Sequence, residues 1–292
     1  MPELPDITVY LEALDRKVVG RVLTRIRVLT PFVLRSYDPP VDAVAGKAVR
    51  GTRRIGKRLI LEFDDGVFVV IHLMIAGRLV WKPAAGKTTK NAVAAFDFGH
   101  GTLFFTEAGT RKRASITLVR GEAAVKALDP GGIEPLEASP EQFKAALLRE
   151  NHTLKRSLTD PHLFSGIGNA YSDEILHAAK LSPLKTTKTL DDEEIGRLHE
   201  ATRVTLRSWT DILRAEAGDG FPDKVTAFRE GMATHGRYKL PCPVCGAPIQ
   251  RIVYAENECN YCARCQTGGK LLADRSLSRL LKDDWPKSID DL

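Results

Sequence analysis

Two groups of residues in this 292-residue chain carry the means for chemistry, one near each end. The first is Met1-Pro2-Glu3-Leu4-Pro5-Asp6. A proline in second place lets an initiator methionine be removed, which exposes a secondary amine. An α-amine has a pKa of about 7.7–8.0, so a useful share is neutral and nucleophilic at neutral pH. A helix starting there disfavours added positive charge and lowers the value further. Glu3 pulls the other way, yet supplies a carboxyl for proton transfer. Amine and adjacent carboxyl together can form and break a Schiff base at a sugar C1′. The same residues also read as a plain helix start, where first-turn prolines are at home.

The second group is the cysteines, all five of which fall between Cys242 and Cys265. A secreted disulfide framework would spread them along the chain, whereas this clustering points to metal. Cys242-Pro-Val-Cys245, sixteen residues and Cys262-Ala-Arg-Cys265 have the spacing of a four-cysteine zinc site. Four thiolates leave no position for water, so one structural Zn2+ is expected. An iron–sulfur cluster and two incidental pairs are the alternatives. Cys259 and Cys262 form another two-residue gap, but that choice leaves thirteen residues between the pairs, outside the usual range of about fifteen to twenty. Cys259 is therefore read as a free thiol.

The elements that must position these groups change character along the chain. Residues 3–19 read as a helix with Ile7, Leu11, Leu14 and Val18 on one face. An alternating, strand-rich stretch follows. Asp64-Asp65-Gly66 and Gly99-His100-Gly101 mark two hairpins, and residues 115–119 another strand. This predicts an antiparallel sandwich or barrel behind one helix. After Asp129-Pro130-Gly131-Gly132 the pattern turns helical. Ser139-Pro140-Glu141-Gln142 is a capping box, and helices are expected at about 140–149, 152–159, 169–179 and 190–216. A last helical face, Leu277, Leu280 and Leu281, precedes Trp285-Pro286.

Composition bounds the partner. With 43% apolar and 27% charged residues the chain is globular, and its length allows two domains. Net charge is +6 and the pI near 9.0, which favours a polyanion. Arg50, Arg53, Arg54, Lys57 and Arg58 place five cations in nine positions, and Arg111-Lys112-Arg113 forms a second cluster. Either also reads as a solvated loop. The longest apolar run, Val67–Ala76, contains His72 and is too short to span a membrane. Acidic residues stand where a signal peptide needs an apolar stretch, so a cytosolic protein without a membrane partner is expected.

Three separated motifs carry a resemblance. Pro2-Glu3-Leu4-Pro5, the run Ser165-Gly166-Ile167-Gly168-Asn169-Ala170-Tyr171-Ser172-Asp173-Glu174, and the two knuckles ending in Gly246 and Gln266 occur in the order found in the formamidopyrimidine-DNA glycosylase and endonuclease VIII family. The chain resembles that family, nearer its first branch, from residue 2 to about 268. The resemblance implies an α+β fold: an N-terminal antiparallel β-sandwich with an N-terminal helix (1–128), a linker (129–138), a helix–two-turns–helix domain (139–236), a zinc-binding β-hairpin (237–270) and a C-terminal helical extension (271–292). It implies a bifunctional glycosylase and abasic-site lyase of base excision repair, acting as a monomer on damaged double-stranded DNA. Non-catalytic damage binding, and a lyase with weak glycosylase activity, are its rivals.

Residue by residue, the resemblance makes Pro2 the nucleophile and Glu3 the general acid and base. Lys57 would contact phosphate beside the damaged nucleotide, and Lys155 the DNA backbone. Asn169 and the N–H groups of the Gly166–Gly168 turn would hold phosphate, a role that close backbone approach and a helix N-terminus also favour. The chain departs from the family at several points. Asp6 replaces a glutamate. Ile75, beside Met74, replaces the methionine that fills the gap left by the flipped base. The loop supplying the other wedge residues becomes Glu107 to Arg113, with Arg111 and Arg113 as candidate DNA contacts. Asn257 aligns with the phosphate-gripping arginine of the hairpin. The segment covering 8-oxoguanine is shortened and rewritten around Gly218 to Ala227. These departures bear on substrate choice more than on chemistry.

Overall fold

Ile7, Tyr10, Leu14 and Val18 recur at helical spacing and are fully buried, so α1 (Leu4–Val18) forms by committing one face to the interior. Burying each such side chain is worth about 1.5–3 kcal/mol. The periodicity predicted Leu11 on this stripe. The structure puts Tyr10 there instead, because its hydroxyl finds a partner in the Leu79 backbone N–H at 3.3 Å, and Leu11 packs at the edge. The structure is a computed structural model that describes residues 1–83, 88–222, 225–254, 257–272 and 286–291.

Eight strands follow: β1 (Val22–Val28), β2 (Lys47–Ile55), β3 (Arg58–Phe63), β4 (Val67–His72), β5 (Gly77–Pro83), β6 (Ala92–Phe98), β7 (Gly101–Glu107) and β8 (Ser115–Arg120). They pair antiparallel in the order β5-β7-β6-β1-β2-β3-β4-β8. β1 meets β2 only where Val22 and Leu23 face Ala48 and Lys47, and the ribbon divides there into the two layers of an antiparallel sandwich. Leu23, Leu59, Leu61, Val69, Ile71, Leu103 and Phe105 fill its core with the buried face of α1. Both hairpin turns form as expected. Gly101 serves a different purpose from the turn: it lies in β7, where a Cβ would sit 2.3 Å from the Trp81 ring.

The chain forms two compact units, residues 1–130 with 209–226, and residues 131–208 with 227–292. The first corrects the boundary drawn from sequence, because 209–226 groups with the sandwich rather than with the helices. Arg214 clasps Glu12, Arg16 bonds the Gly218 and Gly220 carbonyls, and Phe221 stacks obliquely on Tyr10. Val225 completes the core cluster.

The second unit holds α3 (Pro140–Leu148), α4 (Leu154–Thr159), α5 (Asn169–Ala178), most of α6 (Asp192–Ala217), the hairpin β9 (Gln250–Tyr254) and β10 (Asn257–Tyr261), and α7 (Ala263–Thr267). A five-residue helix α2, Glu122–Lys126, precedes them in the first unit. The Ser139–Gln142 capping box forms in both directions. Residues 131–138 do not behave as a linker. Ile133 exchanges backbone bonds with Leu163 and Ser165, and Ser165 Oγ donates to Glu134. The expected C-terminal helix falls on 273–285, outside the described residues. Residues 286–291 return to the hairpin, where Ile289 packs with Ile252, Tyr261 and Leu271. No helix among the described residues is long and apolar enough to cross a membrane.

Two glycines test this packing. A Cβ on Gly132 would lie 2.4 Å from the Pro161 carbonyl oxygen, whereas one on Gly196, exposed within α6, would meet nothing within 4 Å. Gly132→Ala should destabilise the protein by roughly 1–3 kcal/mol, and Gly196→Ala should stabilise it by about 0.4–1 kcal/mol. Chemical denaturation of the two variants reads both signs. An unchanged Gly132→Ala would mean that 131–138 is not packed as described.

Candidate active site and metal centre

The first turn of α1 buries polar groups as well as apolar ones. Pro2 is buried, and Glu3 and Asp6 are almost wholly so. Asp6 Oδ2 accepts the Glu3 backbone N–H at 2.9 Å, so the shorter carboxylate is used to cap the helix. The terminal amine, carried here on Met1, is pushed below its ordinary value. Burial is the largest cause, and Arg78 and Lys57 add to it against Glu3 and Asp6. These groups therefore surround the chain terminus within one unit.

Lys57 follows Gly56, whose φ of +57° makes the tight β2–β3 turn. Its ammonium is depressed by burial and supported by Glu3. His72, facing Arg58 across β3 and β4, is pushed down to about 4 by burial and then by Arg58 and Lys57, so it is neutral at neutral pH. Sequence reasoning passed over both His72 and Arg78, since neither forms a motif. The rest of the basic run is largely committed internally: Arg50 to Asp64, Arg53 to Glu62 and Glu122, and Arg58 to the Leu128 carbonyl. Lys57 is distinguished by facing Glu3. The arrangement can do acid–base chemistry beside an amine held below its ordinary pKa.

Two turns stand near this group in the chain. Met74 has a φ of +52°, and Gly77 donates to the Leu73 carbonyl, where any Cβ would collide at 2.2 Å. The turn leaves Ile75 54% exposed. Arg78 braces it through the Ile75 and Gly77 carbonyls and also donates to the Val225 carbonyl. The rewritten loop is organised by Glu107, whose Oε1 accepts the Arg113 and Ala114 N–H groups at 2.8 and 3.0 Å. Arg111 and Arg113 are exposed on it.

In the second unit Gly166 takes φ +79° and Gly168 caps α5. Asn169 Nδ2 donates to the Glu258 carbonyl of β10 at 2.8 Å. Lys155 departs from its expected part. It is 9% exposed, and its ammonium bonds Asp173 and the Asn169 carbonyl. Asp173 has no exposed surface and also meets His235 Nδ1 at 2.8 Å. An unpartnered carboxylate there would cost several kcal/mol, so Lys155 neutralises Asp173 and holds the Asn169 turn rather than standing open to phosphate. The neighbouring Glu174 accepts the Ala233, Thr234 and His235 N–H groups.

The four knuckle cysteines converge. Cys242 and Cys265 sulfurs are 3.9 Å apart, and those of Cys245 and Cys262 are 3.4 Å apart. A tetrahedron with Zn–S bonds of about 2.3 Å has edges of about 3.8 Å, so the donor set fits zinc. His177 joins the group: its ring lies with Cys242, Cys262 and Cys265 so that all four ligand atoms fall within 4.8 Å of one another. Nothing in the sequence pattern flagged it. Cys259 is buried, and its thiol is raised well above the ordinary value by burial and then Asp173. Asn257 opens β10 opposite Tyr254, and its side chain lies outside what is described.

Comparison with known proteins matches three domains of the chain. Residues 1–114 match the formamidopyrimidine-DNA glycosylase N-terminal domain, 132–212 its H2TH domain, and 239–268 the zinc finger found in FPG and IleRS. A formamidopyrimidine-DNA glycosylase of Desulforamulus reducens is 31% identical over 280 residues, covering 91% of this chain and 99% of that one. A formamidopyrimidine-DNA glycosylase-like protein of Mycobacterium tuberculosis is 42% identical over 151 residues, 52% of this chain and 94% of its own. Among solved structures, Lactococcus lactis Fpg bound to abasic-site DNA superposes with a TM-score of 0.81 at 25% identity, covering 91% of this chain and 99% of that one. The same enzyme bound to Fapy-dG DNA gives 0.80. By its three domains, and by its identity to relatives matched over almost their whole length, the chain belongs to the formamidopyrimidine-DNA glycosylase family.

Proposed function

We propose that this DNA glycosylase of base excision repair is bifunctional, with the Pro2 amine, exposed by loss of Met1, as its nucleophile. The observation that carries the reading is the buried helix start, where Pro2 and Glu3 lie out of water and where burial, Arg78 and Lys57 hold even the Met1 amine that precedes Pro2 below its ordinary value. The sugar carbon is out of reach in a duplex, so the nucleotide must leave the stack. Pro2 nitrogen attacks C1′ as the base departs. The C1′–O4′ bond then breaks, Glu3 gives O4′ its proton, and an iminium joins Pro2 to the opened sugar. Loss of a C2′ proton expels the 3′ phosphate, and a second elimination expels the 5′ phosphate. Lys57 and Asn169, with the Gly166–Gly168 turn, hold phosphates. Ile75 enters the gap left by the base, and Arg111 and Arg113 flank it. One structural zinc on Cys242, Cys245, Cys262 and Cys265 supplies the cross-link between the knuckles. The protein acts as a monomer.

Burial also depresses Lys57, which makes it the competing amine. A hydride reductant should trap a covalent protein–DNA adduct that maps to residue 2. Retaining Met1 should abolish it, and Pro2→Gly should keep reduced activity. Glu3→Gln should slow base release by roughly 10²–10⁴ while leaving DNA binding intact. Because the nucleophile is the neutral amine, trapping should fail as pH falls through the pKa of the Pro2 amine; if the surroundings that lower the Met1 amine act on Pro2 too, that loss comes below the ordinary range of about 7.7–8.0. An adduct on Lys57 would overturn the assignment.

Elemental analysis should find one zinc per chain. Serine at Cys242, Cys245, Cys262 or Cys265 should unload it, and serine at Cys259 should not. Metal lost from the Cys259 variant alone would point to the wrong pair.

Substrate choice follows from the rewritten segment at 218–227. Phe221 and Val225 are packed into the first unit's own core, which supports the view that it no longer closes over 8-oxoguanine. Ring-opened purines and hydantoins should be processed at least as fast as 8-oxoguanine in single-turnover kinetics. Strong selectivity for 8-oxoguanine opposite cytosine would refute this. Cleavage of an abasic duplex with no excision from any oxidised base would instead favour a lyase, a reading that the replaced wedge loop also supports.

A further inference from the structure

His177 lies in the last turn of α5 and takes no part in the chemistry above. It is buried, and its Nε2 is 3.3 Å from the equally buried Cys242 Sγ. A buried imidazole N–H requires an acceptor, and a zinc-bound thiolate keeps lone pairs able to accept. We infer that His177 donates an N–H···S hydrogen bond to the Cys242 thiolate and is a positioning residue for the zinc site. This rests on the reading of that site as a four-thiolate zinc centre.

Three observations carry the inference. Cys242–Cys265 and Cys245–Cys262 lie at 3.9 and 3.4 Å, close to the edge of about 3.8 Å that a four-thiolate zinc site needs, so on that reading His177, within 4.8 Å of three of the sulfurs, is a fifth group outside the ligand set. Four thiolates around a dication leave two negative charges in a partly buried place, and a donor aimed at one sulfur offsets part of them. The other donors described at these sulfurs are backbone N–H groups of the knuckles themselves: Val244 and Cys245 to Cys242, Ala247 to Cys245 and Cys265 to Cys262. His177 comes from a different element. It reaches the first knuckle from the same helix whose first residue, Asn169, bonds the hairpin at Glu258. The bond therefore fastens the metal site to the helix that begins at the phosphate turn.

The test uses the full-length protein loaded with zinc. His177→Phe keeps a ring of similar size without the donor, and His177→Gln restores an N–H. Zinc transfer to a chromogenic chelator should be roughly 10- to 100-fold faster from His177→Phe, and close to the parent rate from His177→Gln. In cobalt-substituted protein, His177→Phe should retain the absorption of four sulfur ligands, with its thiolate-to-metal bands moved to lower energy. In the cadmium-loaded parent, a proton on His177 Nε2 should show coupling to the metal, which requires no variant to fold. An unchanged release rate with unmoved bands would overturn the inference. So would a cobalt spectrum of three sulfurs and one nitrogen in the parent, which would make His177 a ligand in place of Cys245. A parent protein without zinc would overturn the metal reading beneath it, an outcome distinct from either.

Discussion

Placing the Glu3 carboxylate out of water beside a terminal amine costs several kcal/mol unless cations and donors face it. Much of the first unit answers that cost. The sandwich supplies a rigid floor for α1. The β2–β3 turn brings Lys57 to the carboxylate, and Arg78 follows the turn that exposes Ile75. Asp6 occupies the backbone N–H that would otherwise compete for Glu3. The desolvation that makes this arrangement expensive also lowers the terminal amine.

The second unit solves a related problem with two adjacent carboxylates. Asp173 collects Lys155, His235 and the Cys259 thiol, while Glu174 collects backbone donors from 233–235. Between them they fix α5 against the segment leading into the zinc hairpin. Lys155 thereby sets the Asn169 carbonyl and with it the helix start.

Much of this was legible in the residues, in an uneven way. Turn chemistry at Asp64-Asp65-Gly66 and the cysteine spacing are local, and both read directly. Pro2 and Glu3 drew notice only because an amine-bearing residue and a carboxylate are neighbours in sequence. Helical periodicity runs unbroken through Ser208 and Trp209, so nothing in the pattern says that the later turns pack with the sandwich. Gly132 looks like linker composition, yet it is small because the Pro161 carbonyl sits against it. Lys155 and His177 escaped for the same reason. Their partners, Asp173 and Cys242, are 18 and 65 positions away, and a charge or an imidazole in sequence does not announce what it will face.

The two attachments of α5 have a mechanical consequence. The helix has ten residues, a length of about 15 Å at 1.5 Å per residue. Asn169 secures one end to β10, and His177 secures the other to the first knuckle. A body pinned at one point can pivot; pinned at two separated points, it keeps only rotation about the line joining them. Gln266, bonded to the Leu181 carbonyl just past the helix, removes much of that as well. Strain applied at the Gly166–Gly168 turn is thus passed along the helix axis to the hairpin as displacement of the whole assembly, with little left to be absorbed by a hinge.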